Sequence, residues 1–234
     1  MVEKLTYDPV AEAPSLLAEI APYNVHEMTL NVPAAALLVV DMQNAFIHPD
    51  GPIYLPAAAA IIDKVAAVAH AFRAAGRPVF YTRHAEDPAG GNAGLMATWW
   101  ENSSPKEGTW EAAIFEGLAP QPGDVVIPKI RYNAFIATDL EPRLREARVE
   151  DLAITGVMAN LCCESTARDA FMRDFRVFFA ADGTAAPSLA FHRASLLNLA
   201  YGFAHVLTCD ELAAMLRGPE NKRPPRRGAR PQSR

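Results

Sequence analysis

Six short apolar runs separated by amphipathic segments predict an α/β protein. The expected fold is an open, mostly parallel six-stranded sheet with helices on both faces, a Rossmann-like three-layer α/β/α arrangement. Runs such as ALLVV and VFFAA lack polar alternation, as expected of strands covered on both sides. No repeat of about 20–50 residues and no internal linker divides the chain, so one domain is expected.

The elements follow in order. AALLVVDM (35–42) reads as a buried strand, and AAAAIIDKVAAVAHAFRAAG (57–76) as a helix stopped by Gly76. PVFYTR (78–83) is the second strand. Residues 84–124 form a long irregular excursion, with a short helix expected around 110–117. VVIPK (125–129) is a strand, TDLEPRLREA (138–147) a helix capped by Thr138 or Asp139, and DLAITG (151–156) a strand. CCESTARDAFMRDF (162–175) is a helix, RVFFAAD (176–182) a strand and PSLAFHRASLLNLAYGFA (187–204) a helix. HVLT (205–208) and DELAAML (210–216) supply the last strand and helix.

Composition narrows the function class. Half of the 234 residues are hydrophobic and 21% are charged, the balance of a globular protein with a sizeable core. Three cysteines, two of them adjacent, provide no disulfide framework, which predicts a reduced environment. The N-terminus lacks a signal-peptide pattern and no apolar run approaches the roughly 20 residues of a membrane span, so a cytoplasmic location is expected. Residues 217–234 carry seven Lys/Arg against one Glu and are rich in Pro and Gly, the signature of a basic disordered tail. Without them the body carries 15 basic and 26 acidic residues, which argues against nucleic acid as a ligand. Residues 1–34 are expected to be a lead that packs on the domain or on a partner subunit, and 35–216 to be the functional domain.

In open parallel sheets, ligands bind beyond the carboxyl ends of the strands, where strand order reverses. Three reactive groups fall at such ends: Asp41, Lys129 and Cys162. Each has a structural alternative, as a turn cap, a surface lysine or a small core residue; their coincidence at one sheet edge favours chemistry. A cysteine at a helix N-terminus near a lysine is expected to favour thiolate. A carboxylate nearby can carry its proton.

LLVVDMQNAF (37–46), PKIRYNAF (128–135) and ITGVMANLCCESTARDA (154–170) resemble the three signature segments of the isochorismatase-like cysteine hydrolases, in order and over most of the chain. The resemblance implies that Asp41 is the acid/base carboxylate, Lys129 the catalytic lysine and Cys162, rather than Cys163, the nucleophile. It implies a cis peptide between Val157 and Met158, with the backbone N–H groups of Met158 and Cys162 as the oxyanion hole. Ala159 departs from the family pattern, where threonine is common. The implied reaction is hydrolysis of an amide, ureide or carbamoyl C–N bond in a small molecule through a thioester on Cys162. An isochorismatase-type vinyl-ether hydrolysis needs Asp41 as acid but no cysteine, and is the alternative that IRYNAF and DAFMRDF support. A non-catalytic family member is the third reading, and the intact Asp–Lys–Cys set speaks against it.

The family's nicotinamidases hold a metal through an Asp and two His, one in a T-R-D-x-H stretch. Here that stretch reads TRHAED, with His84 in place of the aspartate, and HPDGPIYLP (48–56) contains no D-x-H pair. No metal and no other cofactor is therefore expected, and nicotinamide is not the favoured substrate. Phe46, His84, Tyr132 and Phe135 are candidate pocket residues, with Trp99, Trp100 or Trp110 as a lid from the long excursion. The resemblance also implies a homodimer or homotetramer.

Overall fold

The computed structural model describes residues 7–101 and 103–217. The basic tail expected at 217–234 therefore lies, apart from Arg217, outside the described residues. Six strands form one sheet: β1 (Ala35–Val40), β2 (Val79–His84), β3 (Val125–Lys129), β4 (Asp151–Val157), β5 (Arg176–Ala185) and β6 (Ala204–Leu207). Their order is β3-β2-β1-β4-β5-β6, and every neighbouring pair is parallel.

Strand alternation accounts for the three layers. In β1, Ala36, Leu38 and Val40 enter one hydrophobic core while Ala35, Leu37 and Val39 enter the other, so all six positions are buried. The helices are α1 (Pro9–Ile20), α2 (Asn44–Ile47), α3 (Pro56–Ala60), α4 (Ile62–Ala74), α5 (Leu95–Trp99), α6 (Leu140–Glu146), α7 (Glu164–Met172), α8 (Leu189–Gly202) and α9 (Cys209–Arg217). The core holding Leu38 is completed by residues of α1, α6, α7 and α8, and the other by residues of α3, α4 and α9. No helix among the described residues is long and apolar enough to cross a membrane.

Three elements differ from the sequence expectation. The lead contains α1, started by Pro9 and by Asp8, whose Oδ1 accepts from the Val10 and Ala11 N–H groups at 2.9 and 3.3 Å. It buries Ala13, Leu16 and Ile20 and packs on β5 and α8. The helix expected over 57–76 is two, α3 and α4, broken where the β-branched pair Ile61–Ile62 falls. Its stop is as expected: Gly76 has φ 67°, and the Arg77 N–H reaches back to the Phe72 carbonyl at 2.8 Å, a Schellman closure.

The third is the helix expected around 110–117, which does not form. The carbonyls of Glu111 and Ala113 instead accept from the Ala45 and Asn44 N–H groups, both at 3.0 Å. Those amides open α2 and have no partner within it, so the excursion satisfies them with carbonyls of a turn over 110–113. Only one 3₁₀ turn, Glu116–Leu118, follows.

The connections from β1 to β2 and β3 run one way across the sheet, and β4 returns to the other side of β1. The switch point thus lies between the carboxyl ends of β1 and β4, where a parallel sheet opens a crevice.

Candidate active site

Asp41 is the first residue beyond β1 and sits at φ 48°, a left-handed conformation uncommon for a residue with a side chain. Thr82 on β2 fixes it. The Thr82 hydroxyl donates to Asp41 Oδ1 at 2.6 Å and accepts from the Asp41 N–H at 3.1 Å. Gly156 lets β4 pass beside the end of β1: its φ is +111°, and a Cβ there would lie 2.1 Å from the Val40 carbonyl oxygen. Lys129 ends β3, two strands away, yet its side chain is wholly buried and its Nζ reaches Asp41 Oδ2 at 2.6 Å.

Cys162 does not begin a helix, as the sequence pattern suggested. It lies in a single π turn, Ala159–Cys163, in which the Cys163 N–H bonds the Met158 carbonyl at 3.1 Å, and α7 starts only at Glu164. The turn brings Cys162 Sγ within 3.4 Å of Lys129 Nζ, and the same ammonium donates to the Arg131 carbonyl at 2.9 Å. Lys129 therefore touches both other members of the predicted set. The Val157–Met158 peptide is cis. Cys163 is fully buried in the core beneath α7 and α8.

The electrostatics correct one expectation. Cys162 is not a thiolate at rest: burial pushes its thiol up to about 12, the Lys129 ammonium pulls it down and the Asp41 carboxylate pushes it up again. Helix polarity and lysine are outweighed by desolvation and a neighbouring negative charge. Lys129 itself stays charged; burial disfavours the ammonium, but Asp41 and Cys162 together raise its pKa.

Above these groups lies a narrow cavity of about 70 Å³. Phe46, His84, Tyr132, Met158 and Cys162 line it, as do Met96, Trp100 and Ser103 to Pro105 of the excursion. Of the three candidate lid tryptophans Trp100 is the one that lines the cavity, its indole Nε1 donating to the Tyr132 hydroxyl at 2.5 Å. Trp99 is exposed, and Trp110 packs edge-on against His48 at 4.9 Å between ring centroids. Phe135 does not line the cavity. It stacks on Phe175 at 6.1 Å, with the Arg173 guanidinium over its ring, because the 133–135 turn aims it into the core.

Sequence reasoning missed Thr82, Ile53, Met96 and Leu161. Thr82 had a signal, since it lies two residues before His84 on the same face of β2. Gln43, also unassigned, clamps the end of β2: its side chain donates to the His84 and Ala112 carbonyls and accepts from the His84 N–H, all at 2.8 Å. The site does not fit a metal. Among the described residues no three His, Cys, Asp or Glu side chains converge as ligands, and the Lys129 ammonium adds to the burial that holds the His84 pKa down.

Residues 35–211 match the model of the isochorismatase domain. The chain is 37% identical to nicotinamidase 3 of Arabidopsis thaliana, over 84% of this chain and 96% of that one. It is 34% identical to the ureidoacrylate amidohydrolase RutB of Methylobacterium radiotolerans, covering 80% and 81% of the two chains. Among solved structures, a cysteine hydrolase from Pseudomonas syringae pv. phaseolicola superposes with a TM-score of 0.78 at 31% identity, over 82% of this chain and 96% of that one. With its sheet order, its strand-end residues and these likenesses, the chain belongs to the isochorismatase family of hydrolases.

Proposed function

We propose that the protein hydrolyses a C–N bond of a small amide, ureide or carbamoyl compound, with Cys162 as nucleophile, Asp41 as proton carrier and Lys129 as their electrostatic tie. The observation that carries this reading is the contact of one buried ammonium with both a carboxylate and a thiol at the floor of a cavity. With the resting thiol neutral, Asp41 takes its proton as Sγ attacks the carbonyl carbon. The site's net charge is unchanged by that transfer, since the negative charge moves from carboxylate to sulfur while Lys129 stays beside both. The Met158 and Cys162 N–H groups receive the developing oxyanion. Asp41 returns the proton to the leaving nitrogen, and water then cleaves the thioester.

The decisive experiment is a screen of amides, ureides and carbamoyl compounds beside isochorismate, read by ammonia release and product mass. Cys162→Ser is expected to lower kcat by about a thousandfold or more while leaving the thermal transition in place. Retained turnover in that variant together with loss in Asp41→Asn would instead identify vinyl-ether protonation.

The same reading includes a cytoplasmic homodimer or homotetramer. The unpaired cysteines Cys162, Cys163 and Cys209 suit a reducing compartment. Phe171, Met172 and Tyr201 present exposed apolar surface for a second copy. Sedimentation equilibrium giving a monomer would remove the oligomer from the proposal.

A further inference from the structure

The cations beside the cavity already have partners. Lys129 is held by Asp41, Cys162 and the Arg131 carbonyl. Arg131 Nη1 donates to the carbonyls of Asn92, Ala93 and Ile130 at 3.0, 3.3 and 2.7 Å, which turns that guanidinium edge toward the backbone of the excursion. Lys106 is paired with the fully buried Glu86 at 2.6 Å. Among the described residues, none of the residues lining the cavity is a lysine or arginine.

One lining side chain has the opposite character. His84 is 4% exposed, and neither ring nitrogen has a hydrogen-bond partner among the described residues. A buried imidazole left unsatisfied in this way carries a free-energy cost that a bound molecule can recover. Burial, reinforced by Lys129, lowers its pKa to about 4, so near neutral pH it offers one donor and one acceptor and no charge. The remaining walls are mostly apolar or aromatic, Phe46, Ile53, Met96, Trp100, Tyr132 and Leu161 among them, with the uncharged Ser103 and Ser104 as the other polar residues.

Resting on the C–N hydrolase reading, we propose that the site takes an uncharged amide with a flat or apolar body, and that His84 selects it by hydrogen-bonding a polar atom at the edge of that body. A ureido acid is the disfavoured class, because its carboxylate would enter an apolar cavity without a counter-charge. The apolar walls instead suit a ring or short alkyl group, with the scissile carbonyl against Cys162.

Two matched pairs test the charge rule on the full-length enzyme: benzamide with 3-carboxybenzamide, and propylurea with N-carbamoylglycine. The uncharged member of at least one pair is expected to lead its partner by roughly a hundredfold or more in kcat/KM, measured by ammonia release. Turnover that favours the charged members, or ignores charge, overturns the inference and leaves C–N hydrolysis standing. No ammonia from any of the four strikes C–N hydrolysis itself, and this inference with it. For His84, the readout is the kcat/KM ratio of 3-hydroxybenzamide to benzamide, which is insensitive to the fraction of enzyme folded. His84→Leu is expected to lower that ratio about fivefold or more, and His84→Gln to restore most of it. An unchanged ratio in His84→Leu removes His84 as the selecting residue.

Discussion

The floor and the roof of the cavity are built by different means. The floor groups, Asp41, Lys129 and Cys162, stand at or just beyond strand ends, are almost wholly buried and compensate one another's charge. The roof residues, Met96, Trp100 and Ser103 to Pro105, belong to an excursion whose helix is only five residues long, and all of them but Pro105 are half-buried or exposed. Polar ties hold it: Trp100 to Tyr132, Arg131 to the carbonyls of Asn92 and Ala93, and Lys106 to Glu86. The sheet thus fixes the reacting atoms with the stability of the whole core, whereas the roof is fixed by a few local contacts and can vary without disturbing them. On the proposed reading, chemistry belongs to the floor, and choice of substrate to the roof and its adjoining wall.

The contrast can be broken most severely at Lys129. Lys129→Met leaves the Asp41 carboxylate buried without its cation, an expected loss of about 3–5 kcal/mol in urea unfolding together with abolished turnover. A stable variant would show that the floor does not depend on charge compensation.

A smaller effect comes from the wall. His84 has a folded-state pKa of about 4 against 6.5 for the free side chain, so the unfolded chain binds its proton first as the pH falls. Its contribution is complete above about pH 6.5 and is lost progressively as the pH drops toward 4, about 3 kcal/mol in all. Unfolding free energies at pH 7.5 and 5 should differ less in His84→Gln than in the wild type; equal differences would place the pH dependence elsewhere, with His192, also lowered to about 4 by burial, as the next suspect.

The mildest change is at the roof. Lys106→Met combined with Glu86→Gln removes the pair without stranding a buried charge and frees the segment that carries Ser103 to Pro105, and KM should rise about tenfold with kcat little changed. A fall in kcat with KM unaltered would mean that the roof also positions the floor.

The same division decides what could be read from the sequence. Strands are legible because unbroken apolar runs such as 35–40 have one economical burial, whereas their order in the sheet came only from the structure. Asp41, Lys129 and Cys162 are legible because strand ends at a switch point are where ligands bind. The excursion is not, because its backbone answers to distant partners: residues 111–113 close the first turn of α2, an obligation no local pattern announces. Phe135 misled for a related reason. It follows Tyr132 by three residues and shares its motif, but a turn separates them, and Tyr132 meets the cavity while Phe135 meets Phe175. Thr82 carried only the weak signal of sharing a strand face with His84, because a threonine inside a strand is ordinary until a carboxylate is found beside it.

The neutral state of Cys162 has a consequence for the durability of the enzyme. Peroxides and alkylating agents attack thiolates, and a thiol whose pKa stands near 12 presents very few of them while the site is empty. In the proposed reaction the proton passes to Asp41 in step with attack on a bound carbonyl. On that reading reactivity is issued on arrival of substrate rather than kept standing, and a raised thiol pKa disfavours attack by oxidants between turnovers. Its neighbour Cys163 is sealed off more simply, by having no exposed surface at all.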